Sequence, residues 1–317
     1  PDDPDALVEL CKREIKDNHV NVAIGLLNEG IKKFPDNPKV LYLVGDFLVK
    51  EKQARMAKEV LERAYHMDRQ HKIIGLPTSL ARLYLDLNLT RSVLLATVDL
   101  EKLPNYDRAL RVRGVAYRRM HSYRQAAADL SRVFANDPTV VPLDVDLADS
   151  YFWLGEYKKA LEPTLFMVAL TCVPDIENPM AIEKLTRLLR KIPEKEIAPA
   201  LEQAIKPIKD RRKLDVFYYQ VGIALDKVNM TDLANQYYRE AIEGDPELVG
   251  PYYRLGVNQE VFEKDYEAAL SNYTKAHNLR PWDNEIGLAQ IRLHDRMTNQ
   301  ASDISLKLKR FFNELGK

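Results

Sequence analysis

Arg108, Arg111, Arg118 and Arg119 fall close together, and Asp146, Asp149, Phe152 and Trp153 follow them. Guanidinium groups suit bidentate capture of carboxylates and large aromatics serve as apolar anchors, so these residue types point to recognition of a partner. The same residues support a second reading, in which Arg111, Arg118 and Arg119 pair with Asp146 and Asp149 inside the chain. Exposed pairs of that kind contribute about 0–1 kcal/mol each. A basic region from Arg108 to Arg132 could also meet an anionic polymer, but its interspersed acids weaken that reading.

Bond-making chemistry finds little support. No G-x-G occurs, and a phosphate-cradling Walker loop, a G-x-S-x-G elbow and an H-E-x-x-H helix are all missing from the sequence. His19, His66, His71, His121, His277 and His294 are scattered without the spacing of a metal site. Cys11 and Cys172 lack C-x-x-C spacing and read as buried free thiols rather than a disulfide or metal pair. No catalytic residue, metal ligand or cofactor is assigned. Asn88-Leu-Thr, Asn229-Met-Thr and Asn272-Tyr-Thr match glycosylation sequons, which arise often by chance.

The elements that would position a recognition surface are helices. Cys11 and Gly45, Gly114 and Ala148, and Gly222 and Gly256 are each 34 residues apart. About twelve positions after each of these small residues comes Ala23, Ala57, Ala126, Ala160, Ala234 or Ala269. Prolines at Pro35, Pro138, Pro246 and Pro281 punctuate the beat, since proline ends helices. Within LSNYTKAHNL, Leu270, Tyr273, Ala276 and Leu279 recur at helical spacing, where a strand would alternate. A fixed period of this length marks a repeat architecture of helical hairpins whose stability comes from stacking on neighbours.

This pattern resembles the tetratricopeptide repeat family. The seventh unit carries the resemblance best: Tyr218, Val221, Gly222, Leu225, Ala234, Tyr238, Ala241 and Pro246 stand in the family's order and spacing, and the eighth follows with one extra residue in its turn. Hairpins are expected to begin near Asp5, Lys39, Leu76, Arg108, Leu143, Ala181, Asp215 and Gly250, with the third and sixth units departing from the pattern. The resemblance implies an all-α, right-handed superhelical solenoid with a concave groove lined by the first helix of each repeat. It places Arg111, Arg118, Arg119, Asp146, Asp149, Phe152, Trp153, Tyr219, Tyr253 and Arg254 on the inward face as partner-binding candidates. Tyr218, Tyr237 and Tyr238 are assigned to packing. The positions where some members hold Lys, Asn and Arg for the carboxylate of Hsp70 or Hsp90 carry other residues here, including Val8, Lys12 and Leu43, so a carboxylate-clamp cochaperone is not expected.

Lysine plus arginine and aspartate plus glutamate both number 47, which argues against general nucleic-acid binding. The longest apolar run in the region after Ala160, LFMVALTCV, falls well short of the roughly 20 residues a membrane-spanning helix needs. Ala148 and Gly222 are 74 residues apart, a surplus over the beat that falls in TCVPDIENP or KPIKDRRK. The expected organisation is therefore units one to five over 1–173, a degenerate unit over 174–213 that either hinges two halves or is only an eroded repeat with longer loops, units seven and eight over 214–281, and capping helices over 282–317. Two such helices are expected, one with Ile286, Ala289 and Leu293 on a face and one opened by Ser302-Asp303 with Ile304, Leu308, Phe311 and Leu315. A start at Pro1, without methionine or leader, points to an expressed fragment or a mature form, and a soluble segment of cytoplasmic or periplasmic origin fits equally. The expected function is a non-catalytic interaction scaffold or adaptor binding a protein segment, with a regulatory or substrate-presenting arm of a larger enzyme or envelope export machine as the alternative.

Overall fold

The computed structural model describes residues 2–68, 70, 72–73, 75–98, 106–138, 143–173, 176–209 and 214–315, without the side chains of 143–144, 209 and 300–315. The described residues are almost wholly helical. Their one β-type contact is an isolated bridge between Val173 and Ile176. The chain divides into two compact units at Gly155.

The first unit contains α1 (Pro4–Lys16), α2 (Val20–Lys33), α3 (Pro38–Lys50), α4 (Ala54–Met67), α5 (Leu76–Asp86), α6 (Thr90–Ala96), α7 (Tyr106–Arg119), α8 (Tyr123–Asn136) and α9 (Leu143–Trp153). Its helices pack as hairpins α1–α2, α3–α4, α5–α6 and α7–α8, and each first helix also meets the first helix of the next hairpin. The second unit contains α10 (Tyr157–Thr171), α11 (Pro179–Leu189), α12 (Glu194–Lys209), α13 (Leu214–Asp226), α14 (Thr231–Gly244), α15 (Val249–Asn258), a π turn at Gln259–Glu263, α16 (Tyr266–Leu279) and α17 (Asn284–Leu315). Here α13–α14 and α15–α16 are the hairpins, and α11 packs on both α10 and α13.

The hairpin starts fall within two residues of the expected ones. Local chemistry sets them. Asp3, Asn37 and Asn178 each accept a backbone N–H of the following helix, and each is followed by a proline at the first helical position, where its missing N–H costs nothing. Pro35, Pro138, Pro246 and Pro281 lie two residues beyond the ends of α2, α8, α14 and α16.

The short turns between successive helices are tight. Asn18, Lys52, Asn88, His121, Gly155, Asn229 and Lys264 all have φ between 59° and 76°, the left-handed region. At the first of these turns the N–H of His19 reaches back to the Glu14 carbonyl at 2.9 Å, and Gln53, Leu89, Ser122 and Met230 repeat the bond. This satisfies carbonyls that a helix end leaves open. Asn88 and Asn229, read as sequon residues, are thus structural turn residues.

The beat of small residues is a packing rule. Ala23, Ala57, Ala126, Ala160, Ala234 and Ala269 are all fully buried. A Cβ added at Gly114 would stand 2.6 Å from Leu130, and one at Gly256 would stand 2.7 Å from Tyr273; Gly45 and Gly222 meet Leu61 and Tyr238 in the same way. Glycine therefore lets the second helix place a large side chain directly against the first. Tyr273 comes one residue later in its hairpin than Tyr238 does, and the π turn at Gln259–Glu263 takes up the extra residue.

One expectation about the second half is corrected. In place of two capping helices there is one, α17, continuous through Ser302-Asp303. Nothing between Leu288 and Leu315 is proline or glycine, so no residue there stops the helix. Ile286, Ala289 and Leu293 are buried as expected, whereas the side chains of Ile304, Leu308, Phe311 and Leu315 lie outside the described residues. Within the second unit, α11 and α12 both pack on α10. Helix α12 continues through Pro199 and Pro207, each of which removes a helix N–H.

Candidate functional site

In the first unit, α7 and α9 bring the arginines and acids together. Arg118 Nε lies 2.5 Å from Asp146 Oδ1, and its Nη1 lies 4.0 Å from Asp149 Oδ2. Asp146 is buried. Burial pushes its carboxyl above the usual range, with Asp149 acting in the same direction and the charges of Arg118 and Arg111 against it. The internal pairing foreseen for Arg118 is therefore present. Arg119 points elsewhere: its Nη1 donates to the Leu85 carbonyl at 2.7 Å and approaches Asn88 Oδ1 at 3.5 Å, closing the end of α5. Asp146 is engaged by Arg118 between α7 and α9, whereas Arg119, though exposed, is anchored at one end of its guanidinium to the end of α5.

The aromatics differ. Trp153 is 59% exposed, stacks on Tyr123 with ring centroids 6.0 Å apart and planes at 16°, and has Phe152 against its edge at 5.8 Å. Tyr123 in turn bonds His121 Nδ1 through its hydroxyl at 2.7 Å. Exposure of a stacked tryptophan at the end of a helix is the reverse of core packing. It leaves an apolar plate beside the Arg118–Asp146–Asp149 cluster.

In the second unit the candidates meet a residue that sequence reasoning missed. Tyr219 donates its hydroxyl to Glu177 Oε1 at 2.9 Å, and Arg254 Nη2 lies 3.0 Å from the same oxygen. Next to it, Gln220 Nε2 donates to the Ile176 carbonyl at 3.2 Å. Tyr219 itself is buried, with its ring against Gly250. Burial and the Glu177 carboxylate both raise its phenol. Burial opposes the charge of Arg254, but the Glu177 carboxylate outweighs it and the guanidinium is held more firmly protonated. Tyr253 takes a separate partner, Glu285 Oε1 at 2.7 Å, and burial together with that bond pushes it up to about 12.

Glu177 belongs to the connection between Thr171 and Pro179, within one of the stretches where the surplus over the 34-residue beat was expected. That surplus was its single trace in the sequence. Both cysteines are free; Cys11 is buried, and burial pushes the Cys172 thiol up to about 12. Among the described residues no group of three or more His, Cys, Asp or Glu side chains is placed to hold a metal, and no helix is long and apolar enough to cross a membrane. The arrangement offers aromatic surface, paired charges and hydrogen-bond donors for recognition.

No protein-family model and no curated protein matches the chain. Solved structures do. The C-terminal part of a TPR repeat-containing protein from Cytophaga hutchinsonii is 12% identical, with a TM-score of 0.52 over 89% of this chain and 98% of that one. A tetratricopeptide repeat protein from Parabacteroides merdae is 15% identical with a TM-score of 0.45 over 92% and 98%, and Pseudomonas aeruginosa pilF is 14% identical with 0.48 over 75% and 96%. With hairpin boundaries, small-residue contacts and turn geometry all as the repeat requires, this chain has the tetratricopeptide repeat fold.

Proposed function

We propose that the chain is a non-catalytic interaction scaffold that receives a segment of a partner protein on the first helices of its hairpins. The observation that carries the reading is Trp153, 59% exposed and stacked on Tyr123 beside charges that are already paired. An amphipathic plate of this kind supplies contact area at low entropic cost, and such residues dominate binding energy in protein interfaces. Arg111, Arg118, Asp149 and Phe152 form its surroundings, with Arg118 fixing the orientation of α9 through Asp146 and Asp149 rather than capturing the partner itself.

The test is cross-linking in the native source followed by mass spectrometry, with wild-type chain and Trp153→Ala as bait. Loss of a captured protein from the variant, with the unfolding midpoint unchanged, is the expected result. Equal capture by both chains would withdraw the site.

A further inference from the structure

We propose that Tyr219, Gln220 and Arg254 form a seat for a carboxylate-bearing segment of a partner protein, and that Glu177 of the chain's own loop occupies this seat until the partner displaces it. The inference rests on the scaffold reading and names the kind of segment that one of its surfaces accepts.

Ile176 and Glu177 lie across α13 and α15 as a short bound peptide would. One main-chain carbonyl accepts from Gln220, and the adjoining side-chain carboxylate accepts from both Tyr219 and Arg254. The donors are fixed in place, since Tyr219 and Gln220 are 7% and 0% exposed. An acid suits the seat because Arg254 is itself half-buried, and removing its counter-charge would leave a partly desolvated cation. Asp226, which also acts on Arg254, is already bonded to Tyr238 and Asn258.

The loop is an imperfect occupant. Gln220 uses only its amide N–H; its Oε1 is buried and meets no donor among the described residues, so the main-chain N–H of an incoming segment would complete it. The described apolar side chains on either side of the bound carboxylate hold it weakly, since Val173 and Ile176 are 48% and 60% exposed. Exchanging one carboxylate for another preserves the charge balance and uncovers little surface. Acidic segments are therefore favoured over neutral ones, and affinity is limited by competition from a tethered rival at about millimolar effective concentration.

The experiment uses a fluorophore-labelled peptide, acetyl-Ile-Glu-Asn-Pro-Met-amide, titrated by anisotropy into the whole chain and into Glu177→Ala. The expected result is binding at least tenfold tighter to the variant, lost when the peptide carries Gln in place of Glu and weakened when Arg254→Met or Tyr219→Phe is added. Glu177→Gln serves as a second opened variant should the alanine protein prove less stable. Equal affinity for wild type and both opened variants, absence of binding to all of them, or equal binding of the Gln peptide would overturn the seat. Capture through Trp153 is measured on the same Glu177→Ala protein. If it persists while the peptide fails, the seat alone is withdrawn; if it too is absent, the scaffold reading fails.

Discussion

Tyr238 donates its hydroxyl to Asp226 at 2.6 Å, tying the second helix of its hairpin to the last residue of the first. In the next hairpin Tyr273 donates to Glu260 at 2.9 Å, within the π turn that follows the first helix. Each of these tyrosines is also the ring that a glycine admits, Gly222 for Tyr238 and Gly256 for Tyr273. One residue therefore supplies both the apolar contact and the polar bond of its hairpin.

Asp226 carries a pH signature. Burial raises its carboxyl above 3.8, and the bonds from Tyr238 and Asn258 only partly offset this. The folded chain thus binds this proton more tightly than the unfolded chain, so its contribution to stability falls as pH rises from about 3.8 through the folded value. Asp226→Asn removes that dependence. Urea titrations between pH 4 and 7 should show wild type losing ground to the variant as pH rises; a gap that is constant or runs the other way would contradict the assignment.

Gly222→Ala places a Cβ against the ring of Tyr238, and Ala234→Leu overfills a fully buried position. Each should lower stability by about 1–3 kcal/mol. Thermal unfolding that does not move for Ala234→Leu would mean the helix register is wrong.

The turns give a prediction of opposite sign. Lys52 has φ 59° with an ordinary side chain, so Lys52→Gly should stabilise by about 1 kcal/mol, while Gly155→Ala should cost about the same. At Gly155 a Cβ meets nothing within 4 Å, which makes the effect purely one of backbone conformation. Denaturant midpoints for the two variants moving in the same direction would refute it.

Arg113 bonds Asp129 through Nε and Nη2, both at 2.7 Å, across the α7–α8 hairpin, and the Asp129 carboxylate is 9% exposed. Arg113→Met strands that carboxylate and should cost about 2–3 kcal/mol. Arg113→Met combined with Asp129→Leu should recover much of the loss, and a double-mutant cycle measures the coupling; strict additivity would show that the pair does not act as a unit.

Much of the fold was legible because its signal is local. Gly222 and Ala234 announce a close helix crossing by their size alone, and proline marks each hairpin's end. The turns were less so, because left-handed positions are usually betrayed by glycine and here Asn18, Lys52, His121 and Lys264 occupy them. Among the candidate residues, sequence could place Tyr219 and Arg254 on first helices but could not show what they hold, since Glu177 and Arg254 are separated by 77 positions. Arg119 shows the same limit: the bond from its guanidinium to the Leu85 carbonyl at the end of α5 spans 34 positions, and nothing in its own segment announces it.

The π turn at Gln259–Glu263 shows where such a hairpin has give. An added residue there widens the backbone by one step, yet Gly256 still faces Tyr273 and Asp265 still caps α16 through its bond to the Ala268 N–H. A length change at the seam between paired helices is thus absorbed before it reaches the crossing, whereas the same residue inserted between Pro251 and Gly256 would rotate the small residue away from its ring. Tolerance to insertion is unevenly distributed along the repeat, concentrated at its bend and nearly absent at its crossing point. Added length at the bend is accordingly better tolerated than at the crossing, provided that Glu260 keeps its bond from Tyr273.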